Sequence, residues 1–190
     1  MESRGAQTPN LPERRSVAIL AGGCFWCLEA VYELVHGVES VISGYCGGST
    51  PNPSYEAVCS GTTGHAEALK VTFYPEAISY SQILEIFFSI HDPTTLNRQG
   101  PDVGSQYRSA IFYVDLDQQE IANAYIKQLE NEAAFYKPIV TEIVPLATFY
   151  DAEEYHQKYY RSNSAAPYCQ LVIVPKLTKF LEFHKEKLSY

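Results

Sequence analysis

Two cysteines, Cys24 and Cys27, follow the double glycine Gly22-Gly23 and flank Phe25 and Trp26. The run from Ser16 to Ala21 reads as a strand and the stretch from Phe25 to about His36 as a helix, so Cys24 falls at or beside a helix N-terminus. Unpaired backbone N–H groups and the helix dipole favour negative charge there, which predicts a lowered thiol pKa and a nucleophile at neutral pH. Cys27 shares that helical face, close enough for the two sulfurs to be bridged. The spacing points to a redox or nucleophilic thiol.

Other chemistries account for the pair less well. A zinc site needs a second pair of ligands, but Cys46, Cys59 and Cys169 stand singly and His65 is the nearest imidazole in sequence. A c-type haem needs histidine directly after the second cysteine, where Leu28 stands. A thioredoxin-like dithiol fits the spacing, although Phe-Trp between the cysteines is bulky and lacks proline. Two buried thiols with no chemistry fit poorly with the glycine turn.

A strand over Ala66–Phe73 places Glu67 with Leu69, Val71 and Phe73 on one apolar face, opposite Ala66, Ala68, Lys70 and Thr72. Desolvation on that face raises a carboxyl pKa, and a protonated carboxyl beside a thiol is a general acid. The competing reading is a strand-end glutamate that reaches water or a backbone N–H. Phe25 and Trp26 form either a recess for a substrate methyl group or ordinary core packing. Tyr55 and Tyr107, in or beside polar loops, supply hydroxyl donors to a developing oxyanion or bond locally. Asp102 is a binding residue or a turn residue, and His156 takes no chemical role.

A chain of 190 residues with 46% hydrophobic and 19% charged content is long enough for one domain with a substantial core. A net charge of −8 argues against nucleic acid or an anionic membrane as partner, and no apolar run reaches the roughly 18 residues of a membrane span. Residues 1–15 read as a loose tail without a secretory core, ahead of a single domain over 16–190. Five cysteines without an export signal fit a reducing, cytoplasmic setting.

The elements expected to position these residues are strands at 16–21, 38–45, 66–73, 109–115 and 139–146, and helices at 25–36, 80–90, 116–134, 151–161 and 178–187. Ser79 and Gln82 mark a capping box. Tyr55 to Cys59 reads as one helical turn, and His91 to Arg108 as a long irregular loop with a functional role. The order predicts an α+β two-layer sandwich with a ferredoxin-like β-α-β-β-α-β core and extra C-terminal elements.

Four blocks of the chain resemble the A-type peptide methionine sulfoxide reductases. They are Gly23-Cys24-Phe25-Trp26, the Gly44-Tyr45 to Cys59-Ser60-Gly61 region, Thr63-Gly64-His65-Ala66-Glu67-Ala68, and Gly104-Ser105-Gln106-Tyr107-Arg108-Ser109. Weaker agreement runs through Phe149-Tyr150 and His156-Gln157 to Tyr168-Cys169. The resemblance implies that Cys24 attacks the sulfoxide sulfur as a thiolate while Glu67, helped by Tyr55 and Tyr107, protonates the oxygen. Phe25 and Trp26 would hold the methyl group and Asp102 would bind substrate. It further implies action on the S epimer, free or in proteins, a sulfenic acid on Cys24 and a disulfide reduced by thioredoxin, with no bound cofactor. Many relatives carry glycine where Cys27 stands and resolve with a cysteine in a glycine-rich tail. Here Cys169 holds that tail position but is followed by Gln170-Leu-Val-Ile-Val-Pro175. Cys27 and Cys169 are therefore equal candidates for the resolving thiol, alone or in relay, with Cys46 and Cys59 as bystanders.

Overall fold

A strand buried on both faces must be apolar at every position, and Ala18-Ile-Leu-Ala21 meets that condition. In the computed structural model, which describes residues 14–189, this run lies in β1 (Ser16–Gly22), inside a six-stranded sheet. The other elements follow as α1 (Phe25–Tyr32), β2 (Val38–Cys46), α2 (Tyr55–Cys59), β3 (Ala66–Phe73) and α3 (Tyr80–Ile90). Next come the short β4 (Arg98–Gln99) and β5 (Asp102–Val103), then β6 (Ser109–Tyr113), α4 (Leu116–Asn131), β7 (Glu142–Pro145) and β8 (Phe149–Asp151). The chain closes with α5 (Tyr159–Asn163) and α6 (Val174–Phe183). Residues 1–13 of the expected tail lie outside the described residues.

The sheet order is β7-β6-β1-β3-β2-β8; every neighbouring pair is antiparallel except β6 and β7, which run parallel. The molecule is thus a mixed α/β fold on a mixed sheet. Alternation decides its layers. Ala18, Leu20, Leu69, Val71, Phe73 and Ile111 join the core under α1, α3, α4 and α6. Ile19, Ala21, Cys46, Ala66, Ala68, Ala110 and Phe112 form a thinner layer on the reverse face, completed by Val17, Val144, Leu146 and Phe149. Ser79 caps α3 through the expected reciprocal bonds with Gln82.

Three expectations are corrected. Residues 151–161 do not form one helix, because Phe149–Asp151 first adds a strand to the sheet edge against Gly44-Tyr45-Cys46. Gly44 permits this: a side chain there would run into the Phe149 ring and the Tyr150 carbonyl. The helix that follows begins only after Lys158, in the left-handed region at φ 52°. The loop 91–108 holds the β4–β5 ladder and a 3-10 turn over Ser105–Tyr107. Finally, the last helix starts at Val174 rather than 178, continuing from a π-helical turn over Cys169–Ile173.

Candidate active site

Gly23 turns the chain from β1 into α1 at φ +93°, and a side chain there would meet Gln99 at 2.5 Å. Cys24 is consequently the N-cap of α1, with φ −58° and ψ 124°. The sulfur is not the acceptor of the first helical amide, however. Phe25 N–H donates to Glu67 Oε2 at 3.0 Å. Glu67 reaches it from β3, opposite Tyr45 of β2, and is 1% exposed on the helix-covered face, where alternation puts it.

That arrangement sets the charges. Desolvation pushes the Glu67 carboxyl up to about 8 against the pull of the Phe25 amide, with Asp102 and Cys27 adding to the rise. The Cys24 thiol is pushed well up, first by burial, then by its hydrogen bond with Cys27 and by Glu67. This reverses the lowered value expected from the helix N-terminus: enclosure outweighs the dipole, and the nearest amide serves the carboxylate instead. Cys27, whose sulfur takes the Cys24 hydrogen bond, is lowered to about 7.

A cavity of about 180 Å³ is lined by Cys24, Phe25, Trp26, Tyr55, Glu67, Asp102, Tyr107 and Tyr168. It joins the five segments that carry the residues named from sequence: the β1–α1 turn, the start of α2, β3, the β4–β5 ladder with the 3-10 turn, and the approach to α6. Burial raises the Tyr55 and Tyr107 hydroxyls above their ordinary range, so both stay proton donors. Trp26 stacks on Tyr159 at 3.7 Å between ring centroids, with planes 7° apart. Phe25 is fully buried against Tyr45 and His156. Cys27 and Cys169 are both buried, and neither lines the cavity. All five cysteines are free; Cys46 sits on the reverse face of the sheet and Cys59 is exposed.

Sequence reasoning missed the residues that hold these walls. Glu29 is buried on α1 and accepts from Lys158 N–H at 2.8 Å, Tyr159 N–H at 3.1 Å and Ser43 Oγ at 3.3 Å, anchoring the ring stacked on Trp26. Glu153 accepts from Tyr55 N–H at 2.9 Å and Tyr45 hydroxyl at 2.7 Å, so it fixes the start of α2. His65 accepts from Gly48 N–H at 3.0 Å and lies 2.8 Å from the Thr50 carbonyl, bracing the loop before α2. His156 is 1% exposed among the Phe25, Trp26, Tyr55 and Tyr155 rings; neither ring nitrogen has a hydrogen-bond partner, Nε2 lies 4.0 Å from Glu153 Oε2, and burial lowers its pKa. Tyr168 was passed over although it enters the cavity directly, donating to Asp102 Oδ2 at 2.7 Å. Its one signal in the sequence is its place just before Cys169.

Among the described residues, no three His, Cys, Asp or Glu side chains converge as a metal site would require, and no helix is long and apolar enough to cross a membrane.

Residues 16–188 match the family model described as peptide methionine sulfoxide reductase. A relative from Deinococcus radiodurans, named peptide methionine sulfoxide reductase MsrA, is 53% identical over 98% of this chain and 89% of its own. The reduced form of Mxr1 from Saccharomyces cerevisiae superposes with a TM-score of 0.73 at 37% identity, over 83% of this chain and 91% of that one. Mxr1 in complex with Trx2 matches at 0.52 and 28% identity, over 78% and 86%.

Proposed function

Because the chain belongs to the peptide methionine sulfoxide reductase family, we propose that it reduces the S epimer of methionine sulfoxide, free or in proteins, and is recycled by thioredoxin. The observation that carries this reading is the pairing, in one small cavity, of a buried thiol with a carboxyl that keeps its proton at neutral pH.

Cys24 attacks the sulfoxide sulfur. Glu67 delivers a proton to the oxygen as charge builds on it, and the Tyr55 and Tyr107 hydroxyls stabilise that charge. Phe25 and Trp26 receive the methyl group, and Asp102 accepts from a substrate N–H. Attack forms a transient bond between Cys24 Sγ and the substrate sulfur. The protonated oxygen then passes to Sγ as the S–O bond and that S–S bond break, so methionine leaves and Cys24 becomes a sulfenic acid. The proton released by the Cys24 thiol replaces the one Glu67 gave. Cys27, one helical turn on, with its backbone N–H donating to the Cys24 carbonyl at 3.1 Å, condenses with it to a disulfide and releases water. Cys169, buried in the same core cluster as Cys27, then takes over the disulfide by exchange and presents it to the external dithiol. The complex of the yeast relative with Trx2 supports thioredoxin in that role. No bound cofactor is required.

Residues 16–190 act as one catalytic domain in this reading, in the cytoplasm, where free thiols persist. A ferredoxin-like unit formed by β1, α1, β2, β3, α3 and β6 is supported by their antiparallel order, β6-β1-β3-β2. The test is reduction of a racemic methionine sulfoxide derivative with a dithiol, its epimers resolved by chiral chromatography, beside Cys24→Ser. Loss of the S epimer alone, abolished in the variant, is the expected result. Persistence of both epimers with folded, reduced protein would refute the proposal and leave a general dithiol oxidoreductase.

A further inference from the structure

A second cavity, of about 620 Å³, borders the β4–β5 ladder between the end of α3, the chain after α4 and the start of α6. Three lysines line it: Lys137 after α4, and Lys176 and Lys179, one turn apart on α6. None of them has an ion-pair partner among the described residues, whereas Arg15, Lys70, Arg108, Arg161 and Lys187 are all paired. Asp92 is the single carboxylate on the wall, and its Oδ1 accepts from the Thr94 N–H at 2.9 Å and the Thr94 hydroxyl at 2.6 Å. Tyr136 stands fully exposed at the rim. In a chain with a net charge of −8, this is a cleft of the opposite sign.

The cleft shares a wall with the catalytic cavity. Gln99 of β4 pairs with Asp102 of β5 in the ladder; the first lines the cleft and the second lines the catalytic cavity. Gln99 accepts from Asp92 N–H at 3.0 Å and donates to the Asp92 carbonyl at 2.9 Å. Its side chain also closes on Gly23, beside Cys24. Paired Cα atoms of an antiparallel ladder stand about 5 Å apart, and an extended peptide advances about 3.3 Å per residue. A polypeptide whose sulfoxide enters the catalytic cavity therefore reaches the cleft wall within about two residues.

Resting on the reductase reading above, we propose that this cleft is a docking site for acidic residues that flank methionine sulfoxide in a polypeptide substrate. Three lysines against one engaged carboxylate leave net positive charge, and the segment that complements it carries Asp or Glu. Each exposed contact is weak alone. Together they discriminate between sequences and speed encounter at low salt. Free methionine sulfoxide is too short to reach the lysines, so the cleft selects among proteins and leaves the chemistry at Cys24 unchanged.

The test compares three blocked peptides of equal length on wild type and on Lys137→Glu/Lys179→Glu, a variant altered only at exposed positions. Each peptide holds one methionine sulfoxide, flanked by serine, aspartate or lysine. At low ionic strength the acidic peptide is expected to have a KM about three- to tenfold below that of the serine peptide, with kcat unchanged and the lysine peptide's KM above both. Salt at about 0.5 M should bring the three together. The variant should reverse their order while reducing the serine peptide as wild type does. Equal KM values in wild type, or a preference that survives charge reversal, overturn the proposal. A variant changed only in its KM for thioredoxin makes the cleft the reductant's docking face, which overturns it too. Failure of the serine peptide to react is instead a failure of the reductase reading. The cleft is then judged by the fluorescence anisotropy of a labelled acidic peptide carrying methionine: binding that the variant loses sustains it, and no binding by wild type overturns it.

Discussion

Burial of Glu67 against a single backbone amide leaves its carboxyl with a pKa of about 8, and two consequences follow at the scale of that one residue. The acid form does the proposed chemistry, so turnover should decline as pH rises through about 8, which a pH–rate profile reads directly. Glu67→Gln still accepts from Phe25 N–H but has no proton to give. Its turnover should fall about a hundred- to ten-thousand-fold with an unchanged circular dichroism spectrum. Stability should fall with rising pH as well. The folded pKa lies above the ordinary value of 4.5, so the native state binds this proton more tightly than the unfolded chain does. Its stabilising effect is complete below about 4.5 and is lost as pH rises through about 8, a swing on the order of 5 kcal/mol. Urea midpoints near pH 5 and near pH 9 should therefore show the variant gaining on wild type at the higher pH.

Among the elements, the segment from β8 to α5 does the most to shape the site while contributing few side chains to it. Glu29 holds it by two hydrogen bonds, from Lys158 and Tyr159 N–H, Gln157 bonds Ser43 on both N–H and carbonyl, and Glu153 fixes Tyr55. Glu29→Ala strands two backbone N–H groups, and a loss of about 2–4 kcal/mol is expected from urea melts. Trp26 is the one tryptophan in the chain, so its emission should shift as Tyr159 loosens from it, with KM rising more than kcat falls. Gly44→Ala drives a methyl group into Phe149 and the Tyr150 carbonyl. It should cost about 1–3 kcal/mol and open the β2–β8 edge to hydrogen exchange.

At the scale of the whole molecule, three of the five thiols, Cys24, Cys27 and Cys169, belong to the main core, so their redox state and the packing around them are linked. With no reductant present, one equivalent of sulfoxide should be consumed per protein and two thiols lost, since two S–H groups and one sulfoxide yield one disulfide, methionine and water. Counting thiols after a single turnover checks this. Under the proposed relay, Cys169→Ser should retain that stoichiometry and lose thioredoxin-dependent cycling, while Cys27→Ser should leave Cys24 as a sulfenic acid that traps dimedone. The π-helical turn that carries Cys169 is where the chain is expected to give way, because such turns hold a helix with an extra residue to release.

Composition and local pattern were enough to place Cys24 at the β1–α1 turn, Glu67 on the covered face of β3 and the elements beneath them. The glycine turn, the alternation of β3 and the Ser79–Gln82 cap act within a few residues of chain, so their signals are complete in the sequence. The family resemblance supplied Tyr55, Tyr107 and Asp102 as a set, which no local pattern relates to one another. What remained hidden was decided by contacts between distant segments. Glu29 looks like any helix-face glutamate until residues 158 and 159 arrive to be bonded, and Asp151 looks like a helix start until Gly44 offers it an edge. The charge state of Cys24 was decided the same way: its position at the helix N-terminus is local, whereas its enclosure and the loss of the Phe25 amide to Glu67 are tertiary. Sequence determines which groups can react and on which face they lie; only the packed chain determines how far each is removed from water and which neighbour takes its hydrogen bond.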